Sequence, residues 1–568
     1  MRFLKHVSAT QSLFIQTMLV VAFIVAANML SHRFFFRLDL TSEKRYSLAE
    51  NTKKLMQSLK EPIQVNVYLD GDLNAGFLQL KQATSNLLDE LKAYSKQPIA
   101  VQFMDPTKVS STEEQNRAYA ALEKRGLHAT TVYEKDGNGK SVEKVIFPWA
   151  EVIAHRDTVP VNLLVNIPGN SGEENLNAST EELEYQITDA IRRLETTEIE
   201  KIAFLEGNGE LSEAEVYDAS TALSRYFEID RGTLGTDPAA LDPFKVVIIA
   251  KPRIPFTEQE KFIIDQYIMH GGRVLWLVDG TNIDTQNLSR NGQATILPLD
   301  VNLSDQLFCY GVRINPDIVE DVQCVNIPVN VASVNEQPQF KPMPWFFSPL
   351  LLTSPFSPIT HNLGAVKANF ASSINLVGDS VRTKADILLV TSNASHILAP
   401  PAFIDLKHLP DAQDQRYFNK QNVPVAVSLS GTFTSDFANR MVPQGIDQKG
   451  PIAQSSQPTR MIVIANGDII RNDVQDEQGK LQALPLGFDR YANRQYSNRA
   501  FIVNAVQYLS DQDGWMSLRS RQFKLRLLNH LAITEGKTAW QLINVLTPLF
   551  LLVIFAFLYY LIRRKRFE

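Results

Sequence analysis

Residues 201–215, KIAFLEGNGELSEAE, carry a spacing that points at phosphate chemistry. An apolar strand over residues 202–205 breaks at Gly207 and Gly209, and a helix is expected to follow. Dinucleotide-binding folds begin this way, with glycines freeing the turn and a helix N-terminus receiving the anion. The fingerprint needs a third glycine where Ser212 stands, and a Walker loop needs a Gly-Lys-Ser/Thr that does not follow. Glu206, Glu210, Glu213 and Glu215 would repel a phosphate and serve the helix start themselves. The stretch is expected to be a structural turn between a strand and a helix.

Other candidate chemistry falls away on similar grounds. DGDLNAG, from Asp70 to Gly76, opens like a calcium loop, but Ala75 stands where a glycine is required and Lys81 where a glutamate is required. No G-x-S-x-G, HExxH or CxxC occurs, so no catalytic residue, metal site or cofactor is assigned. Glu320 and Asp321 read as solvated turn carboxylates. Cys309 and Cys324 are the only cysteines. They are either a disulfide of an oxidising compartment or two buried small side chains. The most distinctive stretch is basic. Arg490, Arg494, Arg499, Arg519, Arg521, Lys524 and Arg526 gather within residues 485–529 of an otherwise acidic region. Two readings stand side by side: a salt-bridged face, or a docking surface for a partner or lipid headgroups.

These groups need a scaffold, and the 568 residues suffice for about three or four domains. The chain is 44% hydrophobic and 21% charged, as packed cores require. Two apolar segments do not suit a soluble core. Residues 540–562 have no charge and carry Trp540, Tyr559 and Tyr560 at their ends, where interfacial rings belong. Residues 13–30 are interrupted only by Gln16, Thr17 and Asn28. A cleaved signal peptide, with Arg2 and Lys5 ahead and a cut after Ala27, competes there with an uncleaved anchor, which the length of the run favours. Arg563, Arg564, Lys565 and Arg566 follow the second span, so both termini are expected in the cytoplasm and residues 32–539 beyond the membrane. That region carries a net charge of about −11, once the +2 of residues 1–31 and the +3 of residues 563–568 are set aside from the total of −6. An acidic balance argues against a nucleic-acid partner.

Periodicity orders the elements. Ser47 and Glu50 are read as a capping box, followed by a strand over 63–69, a helix over 77–94, a strand over 99–104 and a helix over 113–125. A hairpin over 130–134 and 142–147, a strand over 159–165 and a helix over 180–194 begun by Ser179 and Glu182 complete a βαβαββα plan, as in a thioredoxin-like fold. NIPGNSGEENLNAST reads as a loop. From Lys201, strands at 202–205, 246–250 and 274–278 alternate with helices at 212–226 and from Thr257, predicting a largely parallel sheet with helices on both faces. Residues 328–364 read as long loops, where Trp345, Phe346 and Phe347 form either an aromatic contact surface or core plugs. Further strands are expected at 387–390, 423–429 and 461–464, and a helix at 501–509.

LDLTSEKRYSLAENTKKLMQSLKEPIQVNVYLDGDLNAGF, KIAFLEGNGEL, IIAKPRIPFTEQEKFIIDQYIMHGGRVLWLVDG, DQLFCYGVRINPDIVEDVQC and PLGFDRYANRQYSNRAFIVNAVQYL occur in that order. Together they resemble the GldG family, gliding-motility-associated ABC transporter components of Bacteroidetes. The resemblance implies a non-catalytic subunit of an ABC-2-type transporter, partnered by a GldF-like permease and a GldA-like ATPase in the bacterial inner membrane. It also implies a GIFT-type second domain, related in fold to class I glutamine amidotransferases without their cysteine. The expected fold class is α/β: a cytoplasmic N-terminus (1–12), a first span (13–31), a periplasmic thioredoxin-like domain (32–198), a periplasmic GIFT-type domain (199–510), a basic membrane-proximal segment (511–539), a second span (540–562) and a basic cytoplasmic tail (563–568). The competing expectation is an inner-membrane-anchored periplasmic protein that binds a glycan or peptide.

Overall fold

The computed structural model describes residues 17–25, 47–108, 111–135, 141–155, 157–196, 198–330, 337–378, 382–406, 408–447, 450–477, 480–520 and 536–567. The chain divides into two units, residues 1–521 and 522–568, and its fold is mixed α/β.

The first sheet orders its strands Ile99–Phe103, Ile63–Val67, Trp149–Ala154, Asp157–Asn162, with the first pair parallel and the others antiparallel. Ile63, Val65 and Val67 point inward while Gln64 and Asn66 point away, the two-residue period of a half-buried strand. The helices Glu50–Ser58, Ala75–Tyr94 and Gly172–Glu195 close over this sheet, bringing Met56, Leu80, Leu88, Leu91, Ile187 and Ile191 into one core. The hairpin Thr130–Lys135 and Ser141–Ile146 stands apart from it as a two-stranded ribbon.

Two helix starts differ from the sequence expectation. Ser47 does not cap: the first helix begins at Glu50 with Ala49 at its N-cap, whose N–H donates to Glu184 Oε1 at 2.8 Å. The later helix begins at Gly172, with its N-cap Ser171 eight residues before Ser179. Ser171 accepts the Glu174 N–H at 3.2 Å, and Glu174 accepts the Ser171 N–H at 2.7 Å. The Ser-x-x-Glu pattern occurs twice in this stretch, and the upstream copy caps. Ser179 is buried two turns inside, its hydroxyl donating to the Asn175 carbonyl at 2.6 Å and accepting the Val165 N–H at 2.8 Å. Most of the expected loop is thus the first two turns of a helix.

The second sheet runs Cys324–Asn330, Phe340–Thr353, Thr383–Val390, Pro424–Gly431, Thr459–Ile464, Val274–Leu277, Val246–Ala250, Lys201–Glu206, Glu228–Thr233. The last five are mutually parallel and the first four join antiparallel, so the sheet is mixed and not largely parallel. Val246–Ala250 is apolar throughout because both its faces are covered. Val246 and Ile248 pack with Phe501, Ile502, Ala505 and Leu509 of the helix Asn498–Ser510. Val247 and Ile249 pack with Ile263, Ile264, Tyr267 and Ile268 of the helix Glu258–Met269. That helix carries the expected capping box, Thr257 with Glu260.

The described residues of 328–364 are not mainly loop. They hold the 14-residue strand Phe340–Thr353, paired with Cys324–Asn330 around an irregularity at Cys324 and Val325. Its prolines conceal it. Pro342 lies opposite Pro328, so two missing donors fall on one rung, and Pro344, two residues on, keeps the same side.

In the second unit, Lys537–Phe567 is a 31-residue helix containing Pro548, and residues 538–564 are long and apolar enough to cross a membrane. Among the described residues it is the one such helix, against an expectation of two. Residues 17–25 of the first apolar run are helical and exposed; the remainder of that run lies outside the described residues.

Candidate functional site

The Gly207 turn is filled by the chain itself. Gly207 (φ 120°) and Gly209 (φ 73°) take the left-handed conformations that let Asn208 fold inward. The Asn208 N–H donates to Glu210 Oε2 at 2.7 Å, while its carbonyl accepts the Arg253 and Ile254 N–H groups at 2.7 and 2.8 Å. Burial raises the Glu210 pKa. Where an anion would meet free amides, a side-chain carboxylate already sits. The following helix starts only at Tyr217 and runs seven residues, because Ser212–Glu215 closes on itself: the Ser212 N–H donates to Glu215 Oε2 at 3.0 Å.

Parallel α/β sheets place ligands beyond the carboxyl ends of their strands. Here that edge holds a buried ion cluster. Lys251 follows the strand Val246–Ala250 in a left-handed conformation (φ 60°) at 4% exposure. Its ammonium pairs with Asp468 and lies 3.5 Å from Asp279, which also accepts the Gly467 N–H at 2.6 Å. A Cβ on Gly467 would sit 2.4 Å from Lys251 Cβ, so that close passage requires glycine. Burial raises the Asp279 pKa; for Asp468 burial works the same way, but the Lys251 ammonium overrides it and lowers the pKa. Arg253 and Arg471 add to the lysine's charge around the two carboxylates, so Lys251 and Asp468 are committed to ion pairs. Among the described residues no three His, Cys, Asp or Glu side chains converge as a metal site. Asp70, of the calcium-like loop, is bound to Lys81.

A cavity of about 840 Å³ lies within the first unit. Residues 162–168 and the helix Gly172–Glu195 form one wall; residues 485–499 and the helix Asn498–Ser510 form the other. At its floor Arg519 (6% exposed) pairs with Glu182 (2% exposed) at 3.1 Å and lies 5.3 Å from the Tyr185 ring centre. Burial alone would lower the Arg519 pKa, but Glu182 reverses the shift and raises it. The Tyr185 hydroxyl donates to Gln507 Oε1 at 3.1 Å, and burial pushes Tyr226 up to about 12, keeping both phenols neutral. Arg225 and Arg494 stand exposed at the rim with no carboxylate partner among the described residues, Arg494 over Tyr496 at 5.5 Å. Arg499 lines the same space, 3.7 Å from Asp218.

The basic run therefore divides. Arg494 and Arg499 reach the cavity. Arg490 pairs with Asp473 at 3.6 Å on the surface. Arg519 is buried and paired, not a docking residue: Asp511 caps the turn Trp515–Ser520, and Trp515, Met516 and Leu518 pack on Tyr185, folding residues 511–520 into the domain. Arg521, Lys524 and Arg526 lie outside the described residues. Arg225, Tyr185 and Gln507 carry no local signal in the sequence, since the cavity joins segments some 300 residues apart. Cys309 and Cys324 are free thiols, not a disulfide; burial pushes them up to about 11 and about 12. Trp345 (7%), Phe346 (1%) and Phe347 (3%) are core residues, which removes the aromatic contact surface. Glu320 and Asp321 are also buried, bound by the Tyr417 and Ser392 hydroxyls.

Comparison with known proteins adds the following. A family model described as a domain of unknown function matches residues 42–153. A Borreliella burgdorferi protein is 24% identical over 301 residues, covering 51% of this chain and 53% of that one, so the chain spans about half the length of the curated relative it matches. Among solved structures, the N-terminal domain of mmIFT52 aligns at 14% identity and TM-score 0.31, over 55% of this chain and 99% of that one. The exo-β-1,4-mannosidase Op5Man5 of Opitutaceae bacterium strain TAV5 aligns at 10% identity and TM-score 0.22, over 76% of this chain and 55% of that one. Neither likeness is close enough to bear on function. A family model described as an ABC-type uncharacterized transport system matches residues 200–505, more than half the chain and the whole of the second sheet, and to that family the chain belongs.

Proposed function

We propose that this chain is a non-catalytic, membrane-anchored subunit of an ABC-2-type transporter of the GldG kind, serving gliding motility. Its folded region stands in the periplasm and couples to substrate or envelope machinery. A GldA-like subunit hydrolyses ATP, and a GldF-like permease receives the anchor helices in the inner membrane. The observation that carries this reading is the transport-family match over residues 200–505 in a chain that ends in a membrane-crossing helix. The non-catalytic part is supported by the filled Gly207 turn and the paired ion cluster at the strand ends. The thioredoxin-like reading of the first domain is supported by its strand order, a parallel pair continued on one side by two antiparallel strands; the GIFT-type reading of the second rests on the sequence resemblance alone. The second anchor, at residues 13–31, is supported by composition and by the helical residues 17–25. Affinity purification of the full chain from its native membrane in mild detergent is expected to bring down a multi-span permease and an ATPase. Recovery of a stable species with neither subunit would overturn the proposal.

A further inference from the structure

We propose that the cavity between residues 162–168 and the helix Asn498–Ser510 binds an anionic, hydroxyl-rich small ligand: a carboxylated or phosphorylated saccharide unit. The inference concerns this chain's own side chains and does not depend on which transporter subunits it meets.

Charge comes first. Among the described residues lining the cavity, Arg225, Arg494, Arg499 and Arg519 are cationic and Glu182 is the one carboxylate. Glu182 is taken by Arg519. The remaining positive charge sits in a chain whose net charge is −6, so a local excess at a concave site requires a separate explanation. Guanidinium forks match carboxylate and phosphate oxygens in pairs. Arg225 and Arg494 have no carboxylate partner among the described residues, so binding an anion there breaks no ion pair.

The neutral groups point to hydroxyls. Asn166, Asn362, Asn493, Gln186, Gln495 and Gln507 all line the space. Gln186 and Asn493 offer donors and acceptors together, the combination that sugar hydroxyls satisfy and that a purely aliphatic acid leaves unused; Asn362 and Gln495 keep their carbonyl oxygens as acceptors, their amide nitrogens donating to Glu181 and Glu182 and to the Leu486 and Tyr496 carbonyls, and Asn166 keeps its donor, its Oδ1 accepting from Asn175. Gln507, 5% exposed, accepts from Tyr185 through Oε1, and its amide lies within hydrogen-bonding reach of the Tyr226 hydroxyl. The volume of about 840 Å³ falls within the roughly 300–1,000 Å³ typical of small-molecule sites.

The test is calorimetric titration of the purified full chain in non-ionic detergent, without partner subunits. The probes are tetragalacturonate, glucose 1-phosphate, neutral galactotetraose and inorganic phosphate. Saturable binding of tetragalacturonate or glucose 1-phosphate is expected, the tighter of the two identifying the acidic group. Galactotetraose and inorganic phosphate are each expected to bind at least tenfold more weakly. Arg225→Gln and Arg494→Gln lie at the exposed rim, so the fold is expected to persist, as an unchanged thermal transition would verify. Each should weaken binding about tenfold. The proposal is overturned if neither acidic sugar binds saturably at millimolar concentration. It is equally overturned if galactotetraose or inorganic phosphate matches them, or if the double Arg225→Gln, Arg494→Gln variant binds as the parent does. Because no permease or ATPase is present, such a failure would leave the transporter assignment untouched.

Discussion

Arg519 illustrates how far a side chain's role departs from its place in a sequence pattern. As one of seven cations in a basic stretch it reads as surface charge, yet it is the buried partner of Glu182, joining the helix Gly172–Glu195 to the turn Trp515–Ser520. A buried pair of this kind adds little over an apolar replacement, because desolvation cancels most of the attraction, but breaking it strands a charge. Arg519→Met is therefore expected to lower stability by about 3–5 kcal/mol, and adding Glu182→Leu should restore most of the loss. Urea unfolding of the full chain in detergent, followed by tryptophan fluorescence, measures both. If the single variant unfolds at the parental midpoint, the Asn362 amide, which donates to Glu182 Oε1 at 3.3 Å, suffices for the carboxylate and the ion pair does not hold the cavity floor.

At the scale of elements, the strand Phe340–Thr353 binds the antiparallel half of the second sheet together. Trp345 and Phe347 lie 4.8 Å apart, centre to centre, and pack with Ile296, Ile318 and Ile404 in a core of their own. Trp345→Ala is expected to cost about 3–5 kcal/mol, the usual range for an emptied aromatic site. A surface ring would cost under about 0.5 kcal/mol, so the same unfolding measurement separates the two roles. This strand also marks the limit of what could be read in advance. Val246–Ala250, Val274–Leu277 and Thr459–Ile464 were legible because burial on both faces imposes unbroken apolar runs. Phe340–Thr353 was not, because its prolines mimic loop composition: Pro342 and Pro344 share one side of the strand, and Pro349 falls at the irregularity opposite Cys324. The twin Ser-x-x-Glu patterns at Ser171 and Ser179 show a different limit: local capping chemistry is identical at both, and only the packing of Ser179 against Val165 selects the upstream copy. The cavity was legible only in part, since Arg494 and Arg499 belong to the basic run whereas Arg225, Tyr185 and Gln507 arrive from separate elements.

For the whole molecule the decisive question is which side of the membrane each unit occupies. The helix Lys537–Phe567 is about 46 Å long at about 1.5 Å per residue, more than the roughly 30 Å hydrocarbon thickness, so both ends emerge into water. Its far end carries Arg563, Arg564, Lys565 and Arg566, and basic flanks of short tails stay in the cytoplasm. Residues 32–539 carry most of the acid, and moving carboxylates outward meets no such retention, since the orientation rule counts lysine and arginine and scarcely counts aspartate and glutamate. On the proposed orientation the helix points its N-terminal end away from the cytoplasm, and the ion cluster and the cavity would lie outside. Alkaline phosphatase folds only in an oxidising compartment, so a fusion after Ser520 that retains residues 1–520 is expected to be active. A fluorescent protein fused after Glu568 of the full chain is expected to light up, since it matures in the cytoplasm. Replacing the four basic tail residues with glutamine should lower the fluorescent fraction, because the retention signal is gone while the apolar length is unchanged. An inactive phosphatase fusion combined with a dark tail fusion, both proteins being present at normal levels, would place the folded region in the cytoplasm and reverse the direction in which the subunit faces its transporter.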